Sequence, residues 1–104
     1  MADVLEKDWK LFRKRIVGWQ QAYIEKLCKE YVELLQSDKL PEERFWELDK
    51  RMRKDKRKSS VSIDMRRSTM EYELCNLLNE GAITYDDLEG FSDALQERIH
   101  WIRD

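Results

Sequence analysis

Glycine, proline, cysteine and histidine are all scarce: the 104 residues hold three Gly, one Pro, two Cys and one His. Many-stranded β folds need turn residues between their strands, so this shortage nearly excludes one and favours a few long helices. Two cysteines, Cys28 and Cys75, cannot frame a disulfide-built domain. No secretory leader pattern opens the chain, so the expectation is two reduced thiols in a cytoplasmic protein. His100 alone builds no metal site, and neither Cys-x-x-Cys nor His-Glu-x-x-His spacing supplements it. It reads as a partly exposed helix residue. Long apolar runs are missing too. The longest stretch without a charge is Ile16–Ile24, whereas a membrane-spanning helix needs about 20 apolar residues. No membrane span is expected.

What the chain has in quantity is charge and aromatic bulk. Charged residues make up 40% of it and hydrophobic residues 41%, with four Trp, four Tyr and three Phe to anchor a core. That argues against disorder, and the length fits one domain, residues 1–104. The net charge of −2 hides a segregation: residues 1–49 carry −2, residues 50–67 carry +7 and residues 68–104 carry −7. Local fields steer partners more than the total does.

The spacing of apolar residues predicts an all-α fold of four helices, at about 3–36, 41–55, 64–79 and 85–103. In the first helix Leu5, Trp9, Phe12, Ile16, Trp19 and Tyr23 follow steps of four and three, a heptad seam. The seam drifts through Leu27, Tyr31 and Leu34, and Ile24, Cys28 and Leu35 widen the apolar surface there. Gly18 costs about 1 kcal/mol relative to Ala in a helix, and it reads as a point of close helix approach. Pro41, with Glu42 and Glu43 after it, suits the first turn of the second helix. The stripe of that helix is Phe45, Leu48 and Met52, with Trp46 alongside. Residues 55–63 form a basic, extended connector. Ser62 or Asp64 can cap the third helix, whose face is Met70, Leu74, Leu77 and Leu78, and Gly81 suits its end. Thr84 with Asp87 forms a capping box, and Ile83 with Leu88 a hydrophobic staple, at the start of the fourth. Its face is Leu88, Phe91, Leu95, Ile99 and Ile102.

A helix over residues 3–36 would be about 50 Å long, against a diameter near 34 Å for a compact domain of this size. The overhang is expected to expose Leu5, Trp9, Phe12 and Ile16. A patch of that kind implies a partner, and a second copy is the commonest solution, so these four are the candidate association residues of a homodimer that completes the bundle.

Enzyme chemistry finds no support. There is no phosphate-binding Gly-rich loop and no Gly-x-Ser-x-Gly elbow. The carboxylate pairs Glu42/Glu43 and Asp86/Asp87 sit at helix starts, where the dipole explains them. No catalytic residue, metal or cofactor is expected. The basic block is the second candidate surface: Lys50, Arg51, Arg53, Lys54, Lys56, Arg57 and Lys58, with Arg66 and Arg67 beyond the connector. It suits an acidic protein partner or, alternatively, nucleic-acid phosphates. Lys10, Arg13, Lys14 and Arg15 join it if helices one and two pack together. The acidic pI of about 5.5 disfavours nucleic acid. The block could equally pair with the acidic fourth helix.

Two stretches carry resemblances. Leu77–Leu88, with its Gly81-Ala82-Ile83-Thr84 centre, resembles the helical hairpin of short C-terminal oligomerisation domains of the SHOCT type. Pro41–Arg57 together with Asn76–Leu95 is similar to a family of short, uncharacterised helical proteins of Gram-positive bacteria. The resemblances imply a bacterial, cytoplasmic interaction module and supply no catalytic residue or ligand. Together these features predict a non-enzymatic, self-associating interaction or regulatory module.

Overall fold

The computed structural model describes residues 5–103. Among them it is all-helical: α1 is Glu6–Leu35, α2 Pro41–Asp55, α3 Met70–Asn79 and α4 Asp93–Arg103, with 3-10 turns at Arg67–Thr69 and Tyr85–Leu88. The expected start of the first helix at Asp3 lies outside the described residues. α1 runs unbroken through Gly18, and nothing lies within 4 Å of where a Cβ would sit there. Gly18 is therefore not a point of close approach but an open position on the helix surface.

At thirty residues α1 is about 45 Å long, and the molecule measures 52 × 24 × 21 Å. Its radius of gyration, 16.5 Å, exceeds the roughly 13 Å of a compact chain this size. The excess arises because the two halves of α1 have different neighbours. The N-terminal half brings Trp9, Phe12 and Ile16 into one cluster with Met70, Leu74, Leu77 and Leu78 of α3, Ile83 and Leu88 of the following turn, and Phe91, Leu95 and Ile99 of the last segment. The C-terminal half buries Tyr23, Leu27 and Leu34, and the helix lying along it is α2.

The overhang that helix length predicts is real, but it lies at the other end. Trp9, Phe12 and Ile16 are at most 7% exposed, because α3 and α4 fold back over them. They belong to the chain's own core and leave nothing at the surface for a partner. Leu5, 49% exposed, is the one residue of the predicted association set that remains outside.

Two helix boundaries also differ from expectation. The fourth helix does not run from residue 85. Thr84 and Asp87 do form their capping box, with the Thr84 N–H donating to Asp87 at 2.8 Å, but the helix they start ends after one turn. Gly90 takes φ +98°, a left-handed backbone that suits glycine, and α4 begins afresh beyond Ser92. The side chain of Arg15 holds this reversal by donating to the carbonyls of Asp87 and Glu89 at 3.0 and 2.5 Å. The third helix starts at Met70 rather than Asp64, because the Asp64 carboxylate accepts from Arg66 and is not available as a cap. The connector is turns rather than extended chain through Ser62. Glu80 gathers it by accepting from the N–H groups of Ser59 and Ser60 and from the Ser60 hydroxyl. α3 does end at Gly81, φ +78°. Ala82 N–H donates to the Leu77 carbonyl and Gly81 N–H to that of Leu78, the paired bonds that close a helix with a left-handed residue.

One polar contact locks the first helix to the last. Asp8 is 1% exposed, and its carboxylate accepts the Ser92 N–H at 2.8 Å and the Ser92 hydroxyl at 2.6 Å. The Ser92 oxygen in turn accepts the Leu95 N–H. A carboxylate here also meets the positive end of α4's dipole. Asp8→Ala would leave buried donors without an acceptor, and it is expected to lower stability by about 3 kcal/mol, read as a shifted midpoint in urea unfolding.

Candidate interaction surface

Beyond the core, α1 and α2 form an antiparallel hairpin. Pro41 opens α2 with Glu42 and Glu43 in its first turn, and Arg44 donates to the Leu35 carbonyl at 2.5 Å, covering the open end of α1. The seam between the two helices is largely polar. Arg51 pairs with Glu30 at 2.9 Å and lies over the Tyr31 ring. Tyr31 donates to Asp55 at 2.5 Å. Lys58 pairs with Asp55 and donates to the Tyr23 hydroxyl, both at 3.1 Å.

These contacts set the local proton affinities. Burial alone would raise the Asp55 carboxyl, but hydrogen bonds from Tyr31 and Lys58, with the charges of Lys58 and Arg51, outweigh it and hold the group below the usual carboxylate range. Burial, then the bond to Asp55, pushes Tyr31 up to about 12. Lys58 is raised by its bond to Tyr23, against the opposing effect of burial.

The basic block is thus split in its use. Arg51 and Lys58 hold the hairpin seam, Arg53 pairs with Asp49 at 2.7 Å, and Arg66 pairs with Asp64. Arg67 pairs with Glu6 and lies over the Trp9 ring. Lys50, Lys54, Lys56 and Arg57 are exposed and make no ion pair among the described residues. No described residue of the block pairs with α4, whose Arg98 instead pairs with Glu71 of α3. Arg15 is occupied at the Gly90 reversal. Lys10, Arg13 and Lys14 are exposed on α1, on the half of that helix whose neighbours are α3 and α4. No group of three or more His, Cys, Asp or Glu among the described residues could hold a metal ion. Cys28 is exposed and Cys75 buried, both free. Burial pushes the Cys75 thiol up. His100 is exposed and stacks on Tyr85, with ring centres 4.2 Å apart. No described helix is long and apolar enough to cross a membrane.

The two sides of the hairpin are chemically unlike. The lines along which the helices meet run through Tyr23, Leu27 and Leu34 on α1 and through Arg44, Arg51 and Asp55 on α2. One residue further along is one step of 100° round each helix. Because the helices are antiparallel, that step reaches the same side of the hairpin on both. It gives Ile24, Cys28 and Leu35 on α1 and Phe45, Met52 and, at its end, Lys56 on α2. The step in the other direction gives Ala22, Lys26 and Glu33, and Glu43, Lys50 and Lys54. The first side carries the exposed apolar residues, with charges at the ends of its α2 stripe, and the second is mostly charged.

The apolar side is not covered. Phe45 is 63% exposed, Val32 51% and Leu35 44%. Trp46, also exposed, stands edge-on to Phe45 at 5.0 Å. The expected core stripe of α2 is therefore mostly a surface: Leu48 is half-buried, whereas Phe45 and Met52 face solvent. Sequence periodicity finds these residues apolar and in register. The polar partners that displace them from the seam, Tyr31 with Asp55 and Glu30 with Arg51, are visible only once the two helices are paired.

Comparison with protein-family models, with curated proteins and with solved structures finds no match.

The seam predicts a pH profile. The lowered Asp55 contributes stability that is present above its unfolded value near 4 and is lost as pH falls through the folded one. The raised Tyr31 contributes stability present below its unfolded value of about 10 and lost as pH rises towards 12. Thermal melts are expected to be flat between about pH 5 and 9 and to fall on both sides. Tyr31→Phe is expected to flatten the alkaline fall and to lower stability at neutral pH by about 1–2 kcal/mol.

Proposed function

We propose that this chain is a non-enzymatic interaction module that works by associating with a second copy of itself in the cytoplasm. The observation that carries the reading is the uncovered apolar side of the α1–α2 hairpin. Phe45, Val32 and Leu35 lie there in register, set against a charged opposite side. Contiguous exposed apolar surface rimmed by polar groups marks interaction sites, and symmetric self-pairing is the commonest way to cover one. The SHOCT-like hairpin at Leu77–Leu88 and the similarity to short helical proteins of Gram-positive bacteria agree with an interaction role in a bacterial cell.

Sedimentation velocity over a range of concentrations is expected to show a monomer–dimer equilibrium. Phe45→Asp should shift it to monomer while leaving helicity unchanged by circular dichroism, because that side chain contributes little to the chain's own packing. A single monomeric species at all concentrations would overturn the reading.

A second reading rests on Lys50, Lys54, Lys56 and Arg57, which no carboxylate within the described chain neutralises. They suit a polyanion such as nucleic acid, with affinity that falls steeply as salt rises, because counterions released on binding gain less entropy in concentrated salt. A mobility shift with short RNA and DNA at low salt, abolished by Lys50→Glu with Lys54→Glu, is its expected outcome. No shift at low salt removes it.

A further inference from the structure

The exposed face of α2 reverses its charge from one end to the other. Glu42, Phe45, Asp49, Met52 and Lys56 follow steps of three, four, three and four, the repeat that lines one face of a helix against another helix. The stripe is acidic at one end and basic at the other, with Phe45 four residues before Asp49 and Met52 three after it. Glu42 and Lys56 are both exposed, and neither makes an ion pair among the described residues. Asp49 carries its own cation, Arg53, at 2.7 Å.

We propose that two copies pair through the apolar sides of their hairpins in antiparallel fashion, α2 on α2 and α1 on α1, so that Glu42 of each copy meets Lys56 of the partner subunit. The proposal rests on the self-association reading and gives it a geometry. A two-fold axis across the hairpin at the level of Asp49 reverses α2 against itself. Residue 42 then faces residue 56, Phe45 and Trp46 face Arg53 and Met52 of the partner subunit, and Asp49, neutralised by its own Arg53, meets Asp49 of the partner subunit at the axis. Arg51 pairs with Glu30 and Arg44 reaches Leu35, so the level of Asp49 falls near Val32 on α1, and the same axis sets Val32 against Val32 of the partner subunit. The result is a bundle of four helices with every neighbour antiparallel. Parallel pairing of the same faces would set Glu42 and Glu43 against the same acids of the partner subunit, and Lys56 against Lys56 of the partner subunit. Like charges opposed in this way select against that arrangement.

The area suits a weak, concentration-dependent dimer. α2 is about 22 Å long, and two helices side by side are about 20 Å wide. The flat footprint is then about 450 Å² per copy and about 900 Å² for the pair before surface relief is counted, just under the roughly 1,000 Å² floor for a specific interface, which is the range of weak, reversible association.

The test is a charge exchange read by sedimentation equilibrium at low salt, with circular dichroism confirming the fold. Glu42→Lys and Lys56→Glu each replace two attractive contacts per dimer with two repulsive ones. Each variant is expected to raise the dimer Kd about tenfold. The double variant, and equally an equal mixture of the two single variants, should return to within about threefold of the wild-type Kd, since opposite charges then face each other again across the axis. Dimerisation that ignores both single changes, or that the double variant weakens further, overturns this geometry while leaving self-association standing. A chain that is monomeric before any substitution overturns self-association itself, and the geometry with it.

Discussion

α1 is longer than anything the remaining chain can cover with one core. The residues after α2 fold back over its first half and close a cluster there that excludes water from Phe12, Leu74, Leu77, Leu88, Leu95 and Ile99. Little is left for the second half but α2, and two helices side by side cannot bury a whole apolar surface between them. The elongated shape, the polar seam and the uncovered side all descend from that mismatch between one helix and the chain available to wrap it.

The polar seam follows in turn. The two-helix layer buries only Tyr23, Leu27 and Leu34 of α1 fully, and directional contacts hold it in register beside them. Tyr31 on Asp55, Arg51 on Glu30 and Lys58 on Tyr23 fix α2 along α1. They turn Phe45 and Met52 outward as a consequence, since a side chain one position from a buried line sits about 100° away from it. The hairpin is thereby pinned by polar contacts without being covered.

The fold class was legible because apolar spacing alone dictates it. The four helical segments, the Schellman end at Gly81 and the Thr84 capping box all rest on local residue chemistry. Long-range facts were not legible in the same way. Nothing local says that α3 and α4 return to the Trp9 end of α1 rather than the Leu34 end, so helix length correctly indicated an overhang but could not place it. The same limit applies to Asp8, which reads in sequence as one more acid in a first turn and takes on its meaning only beside Ser92. Gly90 was the local signal that was available: a glycine followed by Phe91, Ser92 and Asp93 spells the end of one helix and the capped start of another.

The bond between Asp8 and Ser92 joins positions 84 residues apart, whereas the contacts of the hairpin span 9 to 35 residues. Loops that large close slowly, and local pairings form first. On a ribosome the hairpin can assemble while the chain is still growing, but Asp8 has no donor to accept from at this site until Ser92 has been made. Until the residues from Met70 onward are made, Trp9, Phe12 and Ile16 lack the side chains that cover them. The charges that crowd this stretch, Lys10, Arg13, Lys14 and Arg15, give the unfinished chain an electrostatic guard against clumping with its neighbours.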